Sequence, residues 1–129
     1  MPIDTVEIND DDFLFRRLAP NHLYPDGTVN SNAYKLDGKP DPEISVDLAK
    51  LTEEVEALAR AGRPGFRLGL LQVRDIRSRG LTIRHDPTEE NPAHCVIEGN
   101  NSKAICRKLA EITSVTVPPA APENEATTQ

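Results

Sequence analysis

The histidines are the side chains of this sequence whose ordinary pKa suits proton transfer near neutrality. There are three of them, His22, His85 and His94. His85 ends the alternating stretch Leu81–Thr82–Ile83–Arg84–His85 and is followed by Asp86, while His94 opens the next extended stretch. If those stretches pair across the Asp86–Pro92 turn, both imidazoles lie near the mouth of a hairpin. With His22 from a long loop they could act as an acid–base pair or hold a metal. The competing reading is structural: His85 donates a ring N–H to a backbone carbonyl of the turn, and His94 is a half-exposed strand residue. The structural reading weighs more, because the spacing matches no metal motif, and no metal is expected.

Arg16 and Arg17 come next. Two bidentate donors beside a loop that carries His22, Tyr24, Asn30, Ser31 and Tyr34 could bind a phosphate or carboxylate. Consecutive strand residues face opposite ways, so Arg16 goes with Leu14 and Arg17 with Phe15. A buried arginine must be paired; the plainer expectation is that the two arginines neutralise the acidic N-terminal arm or Asp47. Arg74 and Arg77 lie one helical turn apart and share a face, either as a solvated surface or as an anion-binding or docking patch. Cys95 alternates with Ala93 and Ile97 and reads as a packed thiol; Cys106 sits beside the buried stripe of a helix. A glycine-rich phosphate loop, zinc spacing and a nucleophile elbow are all missing from the sequence, and no cofactor is expected.

These positions require an α+β fold: a small mixed or mostly antiparallel sheet covered by two helices, with a long irregular loop. Residues 13–18 read as a strand with apolar residues on both faces. Residues 19–42 are punctuated by Pro20, Pro25, Pro40 and Pro42 and by Asp26-Gly27 and Asp37-Gly38; Ala33 and Tyr34 are the expected anchors. Ile44, Val46 and Leu48 alternate. A helix follows with Thr52 as N-cap, Leu51, Val55, Leu58 and Ala59 on its buried face, and Gly62 just past its end. The stretch 66–99 reads as strand, short helix (73–79), strand, turn, strand, and is expected to organise the rest of the chain. A second helix, 103–113, buries Ile105, Leu109 and Ile112, and a short strand, 114–117, closes the domain.

The totals fit a single domain of 129 residues with an aliphatic core, since aromatic residues make up only 4%. Residues 1–12 form an acidic, flexible arm, expected to lie against the arginines of the middle segment; 13–117 form the domain; 118–129 form a disordered tail. No stretch reaches the ~20 apolar residues that span a bilayer, so no membrane partner is expected. Two cysteines without a framework point to a reducing, cytoplasmic setting. A net charge of −6 argues against broad nucleic-acid binding, while the arginine-rich middle leaves a local anion site open.

Phe15-Arg16-Arg17, Pro20, His22, Asp26-Gly27, Ser31-Asn32-Ala33-Tyr34 and Ser45-Val46, followed by Gly80-Leu81, His85-Asp86-Pro87, Pro92-Ala93-His94 and Gly99, resemble an uncharacterised family of small bacterial proteins over residues 13–117. The resemblance implies a bacterial intracellular protein and brings no activity with it. Asn32 and Tyr34 depart from its small and phenylalanine-like residues. The first half is also similar to the opening of ADP-ribosyltransferase-type folds, which would ask Glu98 to act as the late acidic residue. Two functions follow as expectations: an accessory or protein-interaction module, or a small enzyme or nucleotide or nucleic-acid binder with an Arg/His pocket. Convergence of the histidines and arginines in one pocket would mark the second; an exposed apolar or basic patch would mark the first.

Overall fold

A computed structural model describes residues 5–116. The expected tail, 118–129, lies outside the described residues. The strands are β1 (Phe13–Leu18), β2 (Lys35–Leu36), β3 (Lys39–Pro40), β4 (Glu43–Leu48), β5 (Arg67–Gln72), β6 (Thr82–His85), β7 (His94–Glu98) and β8 (Ser114–Val115). The helices are α1 (Glu54–Ala59), α2 (Val73–Arg77) and α3 (Lys103–Ile112). Six strands make one antiparallel sheet in the order β6-β7-β4-β1-β5-β8. This is the α+β fold read from the sequence.

The organising role expected of 66–99 is divided. β5 pairs with β1, whereas β6 and β7 form a hairpin joined to β4. α2 and the residues after it carry the chain across one face of the sheet, so β1 and β4 become the centre. Both centre strands are apolar on that face: Leu14, Leu18, Ile44, Val46 and Leu48 are all essentially inaccessible.

That first face holds the main core. Leu71, Val73, Ile76, Cys95, Ile97, Cys106 and Leu109 complete it, with Ala33 and Tyr34 from the long loop. The loop is ordered by its own chemistry. Asp37 and Gly38 both have positive φ, which suits the tight β2–β3 hairpin between them. The Tyr34 hydroxyl donates to Thr113 Oγ1 at 2.6 Å, and that hydroxyl in turn donates to Leu109 O. Gly69 is needed where β5 meets this corner, since a Cβ there would stand 2.5 Å from Thr113 Cγ2.

Among the described residues the second face is covered by α1, by Ala49 just before it and, over Asp47, by the 86–92 turn. Its cluster is small: Phe15, Ala57 and Leu68, with Ala49, Leu58 and Leu70 packed beside them. Here the sequence expectation fails. The N-cap is Glu53, not Thr52, and the fully buried residue of α1 is Ala57, while Val55 and Leu51 face outward. Two arginine bonds set this rotation: Arg17 Nη1 donates to Ala57 O, and Arg60 Nη1 donates to Thr52 Oγ1. Thr52 is thereby taken from the capping role. The helix α3 begins as read, with the Ser102 side chain accepting the Ile105 N–H. Its inaccessible residues are Cys106, Leu109 and Ala110; Ile105 and Ile112 are only partly covered.

Candidate functional site: the second face of the sheet

The eight candidate positions do not meet in one place. Arg16 is on the first face, where Nε and Nη2 both donate to Ala33 O, at 3.0 and 2.7 Å, and Nη1 donates to Ser45 O at 2.8 Å. Its guanidinium also lies over the Tyr34 ring. It pins the loop to the sheet and has little left to give an anion. His22 uses Nδ1 to accept the Ala19 N–H, and burial, then the nearby Arg16 charge, lower its pKa. It lines a polar surface cleft with Asn21, Asn32, Lys35 and Asp37.

His85 is buried and uses both ring nitrogens. Nδ1 accepts the Val6 N–H at 3.0 Å, which leaves Nε2–H to donate to Pro92 O at 2.8 Å. This is the turn-carbonyl bond expected from the sequence. Arg74 and Arg77 are met by the acidic arm. Arg74 pairs with Asp11, Arg77 with Asp10 at 2.7 Å, and Lys50 with Asp12 at 2.9 Å. The Asp12 and Asp10 carbonyls accept the first amides of α2. These carboxylates therefore cover the basic surface at the start of the helix.

The remaining candidates, Arg17, His94 and Glu98, share the second face. β1 and β4 place Arg17 and Asp47 on it by strand alternation. Asp47 is wholly inaccessible, yet four groups reach it: Arg17 Nη1 at 2.6 Å, Arg60 Nη1 at 3.2 Å, Asn91 Nδ2 at 2.8 Å and, more distantly, Arg17 Nη2. A buried carboxylate without partners is costly; here the partners come from three separate segments and fasten β1, α1 and the 86–92 turn to β4. Asn91 and Arg60 were not singled out from the sequence. The Asp47 alternative for Arg17 was, and a lone acid among the apolar residues Val46 and Leu48 was the signal.

His94 stands next to this cluster, opposite Asp47 in the β4–β7 ladder. Its Nδ1 lies 3.0 Å from Asp86 O and 3.2 Å from Asp86 Oδ2, and its Nε2 lies 3.3 Å from Ser45 Oγ. Both partners of Nδ1 are acceptors, so Nδ1 carries the proton of the neutral ring and Nε2 presents its lone pair to the Ser45 hydroxyl. Glu98 accepts from Arg84 Nε at 3.2 Å, and Arg84 Nη1 reaches Asp86 Oδ1 at 3.3 Å. Glu98 and Arg16 thus stand on opposite faces, and the ADP-ribosyltransferase-like pairing is not assembled.

The other half of this face is apolar. Phe13 on β1, Leu51 and Val55 are 41%, 39% and 58% exposed; Val55, two residues from the buried Ala57, is on the solvent side of α1. The two cysteines are free and buried on the first face. Burial, then the Asp47 charge, push the Cys95 thiol up to about 12, so it is no nucleophile. Among the described residues, no group of three or more His, Cys, Asp or Glu is arranged to hold a metal, and no helix is long and apolar enough to cross a membrane. Compared with family models, curated proteins and solved structures, the chain finds no match.

Proposed function

We propose that this chain is an accessory, protein-binding module of the cytoplasm and that it docks through the second face of its sheet. The observation that carries this is the thin cover of that face. A six-residue helix shields the Phe15–Leu68 cluster and leaves Phe13, Leu51 and Val55 in solvent around it. Large apolar side chains left in solvent beside a polar region are the composition of a protein interface. The scatter of His22, His85 and His94 over three environments supports the same reading, because a shared Arg/His pocket was the mark of the alternative. The buried, unpaired thiols of Cys95 and Cys106 support the reducing compartment.

A photo-crosslinking amino acid at position 55, in the cells that make the protein, tests this. The expected result is a discrete adduct with one other protein, absent when the crosslinker sits at Lys108 on α3 and lost on Phe13→Asp in a chain that still melts cooperatively. A position-55 chain that gives no adduct, or gives the same one as position 108, contradicts the reading.

A further inference from the structure

We propose that Ser45, His94 and Asp86 form a nucleophilic site that cleaves activated esters or thioesters through an acyl-serine. The site lies on the polar half of the second face and does not depend on the docking half. Three observations converge on it. Ser45 is exposed on a central strand, with Oγ 3.3 Å from His94 Nε2. His94 is oriented from behind by both oxygens of Asp86 that face Nδ1, at 3.0 and 3.2 Å. Asp86 is itself held by Arg84, which Glu98 steadies in turn. A hydroxyl, a base within reach of it, and a third group that fixes the base is the arrangement that activates serine. The orientation matters: a ring held in the other tautomer, as His85 is, has no lone pair to offer at Nε2.

The reaction follows from these positions. Ser45 Oγ attacks the carbonyl carbon while its proton passes to His94 Nε2. The bond from carbon to the leaving oxygen or sulfur breaks, and the leaving group takes that proton. Water then attacks the acyl-serine, giving its proton to Nε2; the carboxylic acid departs and Ser45 recovers its hydrogen. The Asp86 carboxylate balances the transient imidazolium.

The surroundings restrict the substrate. Ser45 stands opposite Val96, and Val96 opposite Arg84, so the guanidinium lies on the same row of the same face. It is engaged by two carboxylates, and the Ser45 carbonyl is engaged by Arg16. Preorganised oxyanion donors contribute roughly 10²–10³ in rate. A site without dedicated ones suits substrates whose leaving group is already good. Glu43, Asp86 and Glu98 outnumber Arg84 around it, so a neutral or cationic ester is favoured over an anionic one.

An alkyl fluorophosphonate is the probe. On the full-length chain the expected product is one phosphonyl group on the peptide that holds Ser45, with fluoride released, and none on Ser45→Ala. His94→Gln should slow that labelling by about 10²-fold, within the usual range for a general base, and Asp86→Asn should slow it less. Hydrolysis of p-nitrophenyl acetate should fall in the same order. A folded wild-type chain that stays unlabelled at Ser45, or is labelled as fast after His94→Gln, overturns the proposal. If His94→Gln weakens the fold, the wild-type peptide map decides alone: labelling at Ser31, Ser78 or Ser102 and not at Ser45 also overturns it.

Discussion

The two faces of the sheet are built from the same strands and do opposite things with their polar residues. On the first face, polar groups are used up. Arg16 gives its donors to Ala33 O and Ser45 O, and His85 uses both ring nitrogens on backbone partners. On the second, Asp47 is saturated by Arg17, Arg60 and Asn91, but the neighbouring His94 reaches an exposed hydroxyl at Ser45. His85 and His94 make the contrast sharpest, since both flank the same β6–β7 turn and face opposite ways. One seals a turn; the other presents a lone pair to solvent-accessible chemistry. A histidine's residue type says nothing of this. The partner of its second nitrogen decides it.

Several changes would break or sharpen the contrast. The largest effect is expected at the hinge between saturated and open regions: Asp47→Ala should cost about 3–5 kcal/mol in denaturant unfolding, because it strands Arg17 and Arg60 in partly buried positions. Next come the apolar cores. Leu14→Ala or Ile76→Ala on the first face should cost about 2–5 kcal/mol, whereas Val55→Ala, being 58% exposed, should cost under about 1 kcal/mol.

The first face should also report alkaline pH. Burial pushes the Tyr34 hydroxyl from 10.0 up to about 12, and the Cys95 thiol from 9.0 up to about 12. Both keep protons in the folded state that the unfolded chain releases, so their contribution is complete below the unfolded values and is lost as pH rises from 9 toward 12. Tyr34→Phe should flatten the upper part of that decline, read as melting temperature against pH. The smallest effects belong to the arm. Arg74→Ala and Arg77→Ala remove exposed ion pairs with Asp11 and Asp10 and should cost about 0.2–1 kcal/mol each, less in high salt.

Much of the first face was legible in the sequence, because period and burial agree there. Leu14 and Leu18, then Ile44, Val46 and Leu48, then Cys95 and Ile97 alternate as strands must, and all are buried. Ala33 and Tyr34 were readable as anchors of an otherwise polar loop. The second face was harder to read. In α1 the pattern of Leu51, Val55 and Leu58 predicted a buried stripe, but a helix of six residues has few apolar contacts to fix its rotation, and Arg17 and Arg60 fix it instead. The His94–Ser45 contact joins residues 49 apart in the chain, and only the β4–β7 register brings them together. The order of the strands was illegible for the same reason: nothing local to β5 says that it pairs with β1 and not with β6.

The most direct test of the difference between the faces is the protonation pattern of the three imidazoles, read from long-range nitrogen–proton NMR at a pH well above the usual imidazole range. His85 and His22 should appear as Nε2–H tautomers and His94 as the Nδ1–H tautomer, with Nε2 unprotonated beside Ser45. Finding His94 in the Nε2–H form would contradict the account, because Asp86 would then not be its orienting partner and Ser45 would face no base.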